Sequence, residues 1–386
     1  MRFHRSPVDH DSTARPRSKA LGVVAAGAAT LAVLTSCSGD DSGPKNAVAA
    51  DCDSTSKVTI MMGTSDMDVS YSPYALLANQ LGYFAEECLD VTVTTTGGQT
   101  TTQQALIGDA ADIAIQIPDS LIVSAGRERL PIKVFHNLIP RSTYELVTMD
   151  GSGIKSDADL SGKTIGVPVV TDSLSAYVAA RLADQNKSID SVQLIATGYG
   201  GTSMEALKSG QIDAFVGWPG LWAAYRNSGY DFTVLPEPEW QHDYYGLGLG
   251  ALDEYIEKNP EIIEGVSRAI SKATVYLSGN PDEAINLFWD EFPARGPLPG
   301  QDEDEAKSKD RAVLDSTTDM MGVGTLPNDH TWGAQTAEKW EAQVQYNLNA
   351  GLIEAPLDPN LFFTNEFNAA ANDFDRQAVE DQAAGK

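Results

Sequence analysis

The sequence predicts an α/β protein built of two similar lobes, and three observations support this class. Strand-like and helix-like segments alternate along most of the chain. One short signature occurs twice, 101 positions apart. About 350 residues remain after an amino-terminal leader, which is more than a single compact core usually holds.

The first set of elements runs from residue 57 to residue 138. A β-rich segment at 57–62 is followed by a polar loop and by a helix with Pro73 near its first turn, where proline is favoured. Strands are also predicted at 91–95, 113–117 and 132–138, and helices at 102–107 and 119–125. Strands separated by single helices form βαβ units and a largely parallel sheet.

The second set follows a strand-like segment at 144–149. It has strands at 164–168, 192–196 and 213–217, with helices at 174–184, 204–208 and 221–227. Ala105-Leu106 precedes Asp112 and an apolar strand, and Ala206-Leu207 precedes Asp213 and another strand with the same spacing. Because the signature falls at matching places in both sets, the sequence predicts an internally similar pair of lobes.

The last third of the chain, residues 253–386, is predicted to be mostly helical. Apolar residues keep a helical period near 256–270 and near 340–348. The acidic run at 302–305 suits the start of a helix and a solvated face. We interpret this region as a wrap on lobe one and a surface for partners.

Residues 1–36 have the composition of a secretory signal. Basic residues precede an uncharged apolar stretch at 21–34, which is too short to span a bilayer. It ends in Leu-Thr-Ser followed by Cys37, which resembles the lipobox of bacterial lipoproteins. The sequence therefore predicts a lipid on Cys37, an acidic tether at 37–54 and an extracytoplasmic protein anchored to the cell membrane. The alternative is a buried cysteine in an apolar helix.

The charge of the chain excludes a nucleic-acid binder. Residues 1–36 carry five basic and two acidic side chains, a net of +3, whereas the whole chain carries −27, which leaves −30 for the rest. Nucleic-acid binding requires clustered Lys and Arg. An acidic surface also repels an anionic membrane, so that the lipid would have to hold the protein there.

Cys52 and Cys88 are the remaining cysteines. Each stands just ahead of a predicted strand, at 58–62 and at 91–95. If these strands are parallel neighbours, their entry ends lie together, and an oxidising compartment favours a disulfide. Two unpaired thiols are the alternative.

Five segments of the chain resemble one protein family. The most specific is LGYFAEECLDV at 81–91, and further matches occur at 105–112, 159–168 (DLSGKTIGVP), 209–215 (SGQIDAF) and 372–375 (NDFD). These segments resemble substrate-binding proteins of ABC importers for nitrate, taurine, alkanesulfonates and the pyrimidine precursor of thiamine. The resemblance covers about residues 55–380. Cys88 stands where the family usually has glycine, which supports the disulfide.

The resemblance implies a type II periplasmic-binding-protein fold, in which two lobes hold a ligand between them and two crossover strands join them. Lobe one would comprise 55–143 and be completed within 246–386, and lobe two with the crossovers would be 144–245. The crossovers are expected at 144–149 and 245–252. The implied partners are a small-molecule solute and the permease and ATPase subunits of an importer, and we expect a monomer.

Candidate site residues follow from the position of strand ends, because ligands of open α/β sheets lie at the carboxyl ends of strands. In lobe one these residues are Ser65, Asp66, Tyr71, Tyr74, Gly98, Gln99, Thr100, Gln116 and Asp119. The glycine turn before Gln99 either presents N–H groups to a ligand or is an ordinary helix cap. Asp119 also fits a helix cap.

In lobe two the run Thr171, Asp172 and Ser173 opens a helix after a strand and resembles the second ligand clamp of the family. The same rule selects Tyr199 and Trp218, and Tyr244 near the second crossover completes the set. The alternative for Thr171–Ser173 is helix capping. Trp222, four residues after Trp218, fits core packing instead.

Catalysis has little support in the sequence. Gly162-Lys163-Thr164 ends like a phosphate-binding loop, but Asp157 occupies the position that requires glycine. Residues 246–250 lack the dinucleotide spacing, so no cofactor is expected. The histidines after the leader lack metal-ligand spacing, so no metal is expected either. The alternatives to a solute receptor are a secreted enzyme using His242 and Asp243, or a sensor for a membrane kinase.

The candidate loops favour a planar ligand. They contain no Arg, and Arg141 near the hinge is the only close candidate. Stacking on aromatic rings rewards a flat molecule, and Asp66 and Asp172 suit amino-substituted rings better than oxyanions. We therefore expect a thiamine-pyrimidine-like solute rather than a simple alkanesulfonate, although helix N-termini can also hold an anion.

Overall fold

A computed structural model describes residues 52–64, 67–170, 172–198, 200–323 and 330–386. The predicted signal, the lipid site at Cys37 and most of the tether lie outside these residues. Within them the chain forms the strands β1 (Ser56–Met62), β2 (Leu89–Thr95), β3 (Ile113–Gln116), β4 (Ile132–Ile139), β5 (Glu145–Thr148), β6 (Thr164–Val167), β7 (Gln193–Ala196), β8 (Ala214–Gly217), β9 (Thr233–Val234) and β10 (Leu247–Leu252).

The helices lie between and after these strands. They are α1 (Leu76–Gln80), α2 (Tyr83–Glu86), α3 (Gln99–Ile107), α4 (Pro118–Arg127), α5 (Asp172–Ala183), α6 (Gly201–Lys208), α7 (Pro219–Asn227), α8 (Asp253–Lys258), α9 (Pro260–Gly279), α10 (Pro281–Glu291), α11 (Glu303–Met321), α12 (Ala337–Asn349), α13 (Asn368–Ala371) and α14 (Arg376–Ala383). Short 3-10 helices are found at Val69–Tyr74, Asp157–Asp159, Ile189–Ser191, Glu239–Asp243, Pro293–Arg295 and Pro359–Leu361.

The strands form two sheets with the same internal order. The first sheet is β2-β1-β3-β10-β4 and the second is β7-β6-β8-β5-β9. The first three strands of each sheet run parallel, and the fourth, β10 or β5, runs antiparallel to both of its neighbours. In each sheet this antiparallel strand is the first one that forms after the chain has crossed over from the other sheet. The predicted two-lobed α/β fold with two crossover strands is confirmed.

The repeated sequence signature ties two neighbouring strands together. A carboxylate oxygen of Asp112 accepts the N–H of Thr59 on β1 at 2.7 Å, and the N–H of Asp112 donates to the Thr59 carbonyl at 3.1 Å. Asp213 makes the same pair of bonds with Thr164 on β6, at 2.8 and 2.7 Å. The signature therefore joins neighbouring strands at the entry ends of β3 and β8. These ends lie opposite the carboxyl ends of the strands, where ligands bind in such sheets.

The predicted helix around Pro73 is divided. The structure has the 3-10 helix Val69–Tyr74, which contains Pro73, and then the short helices α1 and α2. Gly82 separates α1 from α2 with φ of 79°, a conformation that glycine adopts without steric cost. The break turns the chain so that both short helices pack against α9.

The helical third of the chain does more than cover lobe one. Helix α9 packs against β2, α1 and α2 and is buried along most of its length. The segment around Phe363 and Gly333 adds isolated bridges to β4. Helix α11, however, packs against α7 of lobe two as well as against the 3-10 helix Val69–Tyr74 of lobe one. We expected this third of the chain to wrap lobe one, but it contacts both lobes.

A disulfide joins Cys52 to Cys88, with the Cα atoms 5.8 Å apart. The two cysteines precede β1 and β2, which are parallel and pair Ser56 with Leu89. The N–H of Ser56 donates to the carbonyl of Cys88 at 3.0 Å. The entry ends of the two strands are thus brought together in the manner that the sequence suggested.

His136 is a buried histidine on β4 whose Nδ1 has no hydrogen-bond partner among the described residues. Burial lowers the pKa of its imidazole to about 4. Between pH 6.5 and 4 the unfolded chain therefore binds more protons than the folded protein, and the free energy of unfolding decreases as the pH falls through this range.

We expect this single group to remove about 3 kcal/mol of the free energy of unfolding between pH 6.5 and 4. Urea unfolding at both pH values, with His136→Phe as the non-titrating comparison, measures the effect. The variant should lose less stability than the wild type over this interval. Equal losses in the two proteins would show that His136 is not buried in its neutral form.

Within the described ranges, no helix has both the length and the apolar character needed to cross a membrane. Nor does this part of the chain bring three or more His, Cys, Asp or Glu side chains together in a way that could hold a metal ion.

Candidate functional site

A cleft of about 950 Å³, its open mouth included, lies where the carboxyl ends of the central strands of both sheets meet. Its walls come from both lobes, from the crossover segments and from the helical third of the chain. The lining residues are Met62, Gly63, Ser70, Tyr71, Tyr74, Gly97, Gly98, Gln99, Ile115, Ile117, Thr143, Tyr144, Val169, Ser173, Leu174, Trp218, Leu247, Thr317 and Met320.

Tyr71 and Tyr74 form the aromatic wall of lobe one. They belong to the 3-10 helix after β1, which begins at Asp68, whose carboxylate accepts the N–H of Ser70 at 2.8 Å. The two rings meet edge to face, with centroids 6.0 Å apart and planes at 87°. Burial raises the pKa of the Tyr74 hydroxyl, which therefore stays neutral.

The glycine turn after β2 opens α3 at the cleft. Gly98 has φ of 144°, which L side chains rarely adopt, and it precedes the first N–H groups of the helix. The Gln99 amide donates to the Ile115 carbonyl and accepts the N–H of Ile117, both at 3.2 Å. Gln99 thus lines the cleft while its amide holds the end of β3, so the ligand-facing donors of this turn are backbone N–H groups.

Ser173, Leu174 and Trp218 form the facing wall in lobe two. The Tyr144 hydroxyl, which reaches the cleft from the first crossover, donates to the Ser173 hydroxyl at 3.2 Å. Trp218 is half-buried and immediately precedes α7, with extended backbone angles that place it at the end of β8. The wall therefore combines one indole, one phenol and the first turns of α5 and α7.

Six of the predicted ligand residues line this one cleft. They are Tyr71, Tyr74, Gly98, Gln99, Ser173 and Trp218. Ser65, Asp66, Thr171 and Tyr199 lie outside the described residues, as does the side chain of Asp172, although that residue begins α5. Their contribution stays a prediction.

Four predicted residues do not line the cleft. Thr100 is exposed on α3. Gln116 is buried, and because side chains alternate along a strand it points away from the face that Ile115 and Ile117 present to the cleft. Tyr244 is buried against Trp240 and Tyr346, with ring centroids 4.9 and 4.6 Å away.

Asp119, the fourth of these residues, joins α4 to α12. Its Oδ1 accepts hydrogen bonds from Gln343 at 2.9 Å and from Asn347 at 3.1 Å. The alternative role as helix cap is not observed either, because Ile117 precedes the helix and no side chain caps it. Burial raises the pKa of the Asp119 carboxyl to about 6, despite the two hydrogen bonds that lower it. The residue fastens the helical third of the chain to lobe one.

Several residues that reach the cleft from other elements were not predicted from the sequence. Thr317 and Met320 come from α11, far along the chain from any strand end, so no local signal marks them. Thr143 shortly precedes the crossover strand β5 and Leu247 begins the crossover strand β10, and these positions could have been used to select them. Val169 follows β6, lines the cleft and is partly exposed.

The cleft offers no charged partner to a ligand within the described part of the chain, since the lining residues include no Lys, Arg, His, Asp or Glu. Arg141, the cation considered from the sequence, pairs with Glu237 at 3.2 Å and does not line the cleft. The polar groups that remain are hydroxyls and the N–H groups of helix starts. This set suits neutral hydrogen-bonding groups and flat apolar surfaces.

The proposed acid–base pair of the enzyme hypothesis lies elsewhere. His242 and Asp243 are exposed in the 3-10 helix Glu239–Asp243, which is part of the return crossover. Neither residue is among those that line the cleft.

Comparison with a family model gives a match over residues 71–284 to the NMT1/THI5 like family. The chain belongs to this family. The matched segment begins at the cleft tyrosines of lobe one, includes both crossover strands and ends in α10.

Among characterised relatives, the formylaminopyrimidine-binding protein of Halalkalibacterium halodurans is 26% identical across 80% of this chain and 90% of its own length. The riboflavin-binding protein RibY of Chloroflexus aurantiacus is 25% identical across 90% of this chain and 97% of its own. Among solved structures, the alkanesulfonate-binding protein SsuA of Xanthomonas axonopodis pv. citri, bound to MOPS, aligns with a TM-score of 0.61. It is 14% identical and covers 81% of this chain and 99% of its own, which is a likeness of fold.

Proposed function

We propose that this protein is the lipid-anchored, extracytoplasmic receptor of an ABC importer and that it captures a planar heteroaromatic solute. The observation that carries the proposal is the composition of the cleft, in which Tyr71, Tyr74, Tyr144 and Trp218 are present and the described lining residues are uncharged. The similarity to formylaminopyrimidine-binding and riboflavin-binding proteins supports the same ligand class, because both molecules contain planar nitrogen heterocycles.

A small strong anion fits this cleft less well. Burying a sulfonate or nitrate without a cationic partner leaves the loss of hydration to be offset by hydroxyls and helix N-termini alone. A neutral heterocycle has a much smaller hydration energy to lose, and it gains ring contacts with the aromatic wall. Ring nitrogens and carbonyls can accept hydrogen bonds from the N–H groups at the start of α3, and amino groups can donate to nearby hydroxyls.

Binding between the lobes gives the receptor a way to signal that it is loaded. Ligand contacts from Tyr74 in lobe one and Trp218 in lobe two are both satisfied only when the lobes are close together. A ligand shifts the equilibrium toward the closed form by the difference in its affinity for the two forms. The closed receptor is then the form that a permease would recognise.

Trp218→Ala tests the stacking contact. We expect calorimetric titration with formylaminopyrimidine or riboflavin to show affinity reduced about tenfold or more, because both a ring contact and its buried area are lost. Trp218→Phe should keep most of the affinity, and Tyr230→Ala, a half-buried aromatic of lobe two outside the cleft, should keep all of it. Unchanged affinity in Trp218→Ala would remove this residue from the site.

The anchor is tested separately. Labelled palmitate should enter the wild-type protein in a bacterial host and should not enter Cys37→Ser, because the thiol is the proposed acceptor. Equal labelling of the two proteins would contradict the lipid anchor and leave the ligand proposal unaffected. Uptake of labelled solute by cells with and without the protein distinguishes an importer from a sensor.

A further inference from the structure

Helix α11 lies against both lobes beside the cleft. On the side of lobe one it packs against the 3-10 helix Val69–Tyr74, and on the side of lobe two it packs against α7. The Asn227 side chain at the end of α7 donates to the Lys309 carbonyl on α11 at 2.9 Å. At the start of α7, a Cβ on Gly220 would lie 3.4 Å from Ser70 Cβ and 3.5 Å from Ser316 Oγ. The helix therefore forms a wall that belongs to neither set of strand-end loops.

Two residues of α11 face the cleft, and their neighbours in sequence do not. Thr317 and Met320 are buried and line the cleft, whereas Thr318 and Met321 are buried elsewhere. The Thr318 hydroxyl donates to the Asp315 carbonyl at 3.0 Å. Met320 and Met321 both belong to the apolar core of lobe one, but of the two only Met320 also lines the cleft. Each cleft residue thus has an adjacent residue of the same type that provides a matched control.

The two cleft residues act on the ligand space in different ways. Thr317 lines the cleft beside Tyr74, and its hydroxyl lowers the pKa of the Tyr74 phenol against the effect of burial, so the two side chains are neighbours. Met320 places an unbranched, polarisable thioether among the lining residues of the same cleft.

We propose that Met320 is a specificity-determining residue and Thr317 a positioning residue, and that α11 thereby sets the size of the ring system that the cleft accepts. This inference rests on the proposed function. Met320 limits the extent of the flat ligand, while Thr317 fixes the tyrosine against which it stacks. Ligand size is then selected by the helical third of the chain rather than by the loops that bind the polar groups.

Met320→Ala tests the size limit with two probes of the same ligand class, monocyclic formylaminopyrimidine and tricyclic riboflavin. We expect the ratio of their dissociation constants to shift about tenfold in favour of the tricycle, because shortening one apolar residue changes discrimination by that order. Met321→Ala removes the same atoms from the adjacent core position and should leave the ratio unchanged. Thermal unfolding of both variants reports their stability.

Thr317→Val tests the second residue, with Thr318→Val as its control. The replacement keeps the shape and removes the hydroxyl, so we expect weaker binding of both probes with little change in their ratio. If Met320→Ala does not fold, Met320→Leu changes the reach of the side chain at nearly constant volume and should shift the ratio in the same direction by less.

The outcomes separate the two proposals. Equal ratios in the Met320 and Met321 variants, with binding retained, would overturn the role of α11 and leave the proposed function standing. A wild-type protein that binds neither probe would overturn both. Equal effects of Thr317→Val and Thr318→Val on affinity would remove Thr317 from the set.

Discussion

Replacing Arg181 by Met is expected to lower the free energy of unfolding by about 3–5 kcal/mol, because it leaves a buried carboxylate without its partner. Arg181 is only 1% exposed, and its Nε donates to Asp157 Oδ1 at 2.6 Å. Its other nitrogens donate to the Tyr177 hydroxyl and to the Pro236 carbonyl, both at 2.7 Å. The guanidinium therefore holds α5 to the start of the return crossover.

The network continues from Arg181 toward the cleft. The Tyr177 hydroxyl donates to Gln241 at 3.2 Å, and the Gln241 amide donates to the Tyr144 carbonyl at 2.9 Å. Both crossover segments are thus connected to α5, and Tyr144 itself lines the cleft. Loss of Arg181 removes a connection between α5, which begins at the cleft, and the segments that join the lobes.

Urea unfolding of Arg181→Met measures the loss, and the double variant Arg181→Met, Asp157→Leu provides the control. Removing both charges eliminates the unpaired carboxylate, so the double variant should recover a substantial part of the stability. A single variant that is as stable as the wild type would mean that Asp157 reaches solvent. A double variant no more stable than the single one would assign the loss to the bonds with Tyr177 and Pro236.

Removing the disulfide with Cys52→Ser and Cys88→Ser is expected to lower the free energy of unfolding by roughly 3–4 kcal/mol. The bridge closes a loop with a sequence separation of 36 residues and fixes the entry ends of β1 and β2. Much of the effect comes from the unfolded chain, which gains conformational freedom when the loop is opened.

Thiol titration and urea unfolding together check this prediction. The protein secreted without reductant should show neither thiol as reactive after denaturation, and the double variant should unfold at lower urea concentration. Reaction of both thiols in the unreduced protein would contradict the bridge. The reduced wild type should unfold like the double variant, which separates loss of the bridge from an effect of the serine side chains.

The fold could be predicted because its evidence is local and repeated. Strand and helix periods are set by neighbouring residues, and the recurrence of Asp112 and Asp213 marks the same hydrogen-bonded junction in each lobe. The two crossover strands, β5 and β10, were expected because the family resemblance implies two strands that join the lobes. The packing of α11 across both lobes could not be predicted, because it depends on contacts between residues that are distant in sequence.

The candidate site could be predicted only in part, because contacts between residues distant in sequence decide which side chains reach the cleft. The strand-end rule selected Tyr71, Tyr74 and Trp218, which line the cleft, because it depends on topology alone. It also selected Gln116 and Asp119, whose direction is decided by strand alternation and by the amides of Gln343 and Asn347. A polar residue at a strand end can serve a ligand or a neighbouring helix, and its position in the sequence does not distinguish the two.

The charge of the ligand tests the central claim most directly. Thermal melting of the wild-type protein with formylaminopyrimidine, riboflavin, taurine and nitrate compares neutral heteroaromatics with small anions under one condition. A ligand that binds the native state raises the melting temperature. We predict a rise with at least one of the two heteroaromatics and none with taurine or nitrate. A rise with taurine or nitrate, and none with either heteroaromatic, would contradict a cleft that selects neutral planar solutes.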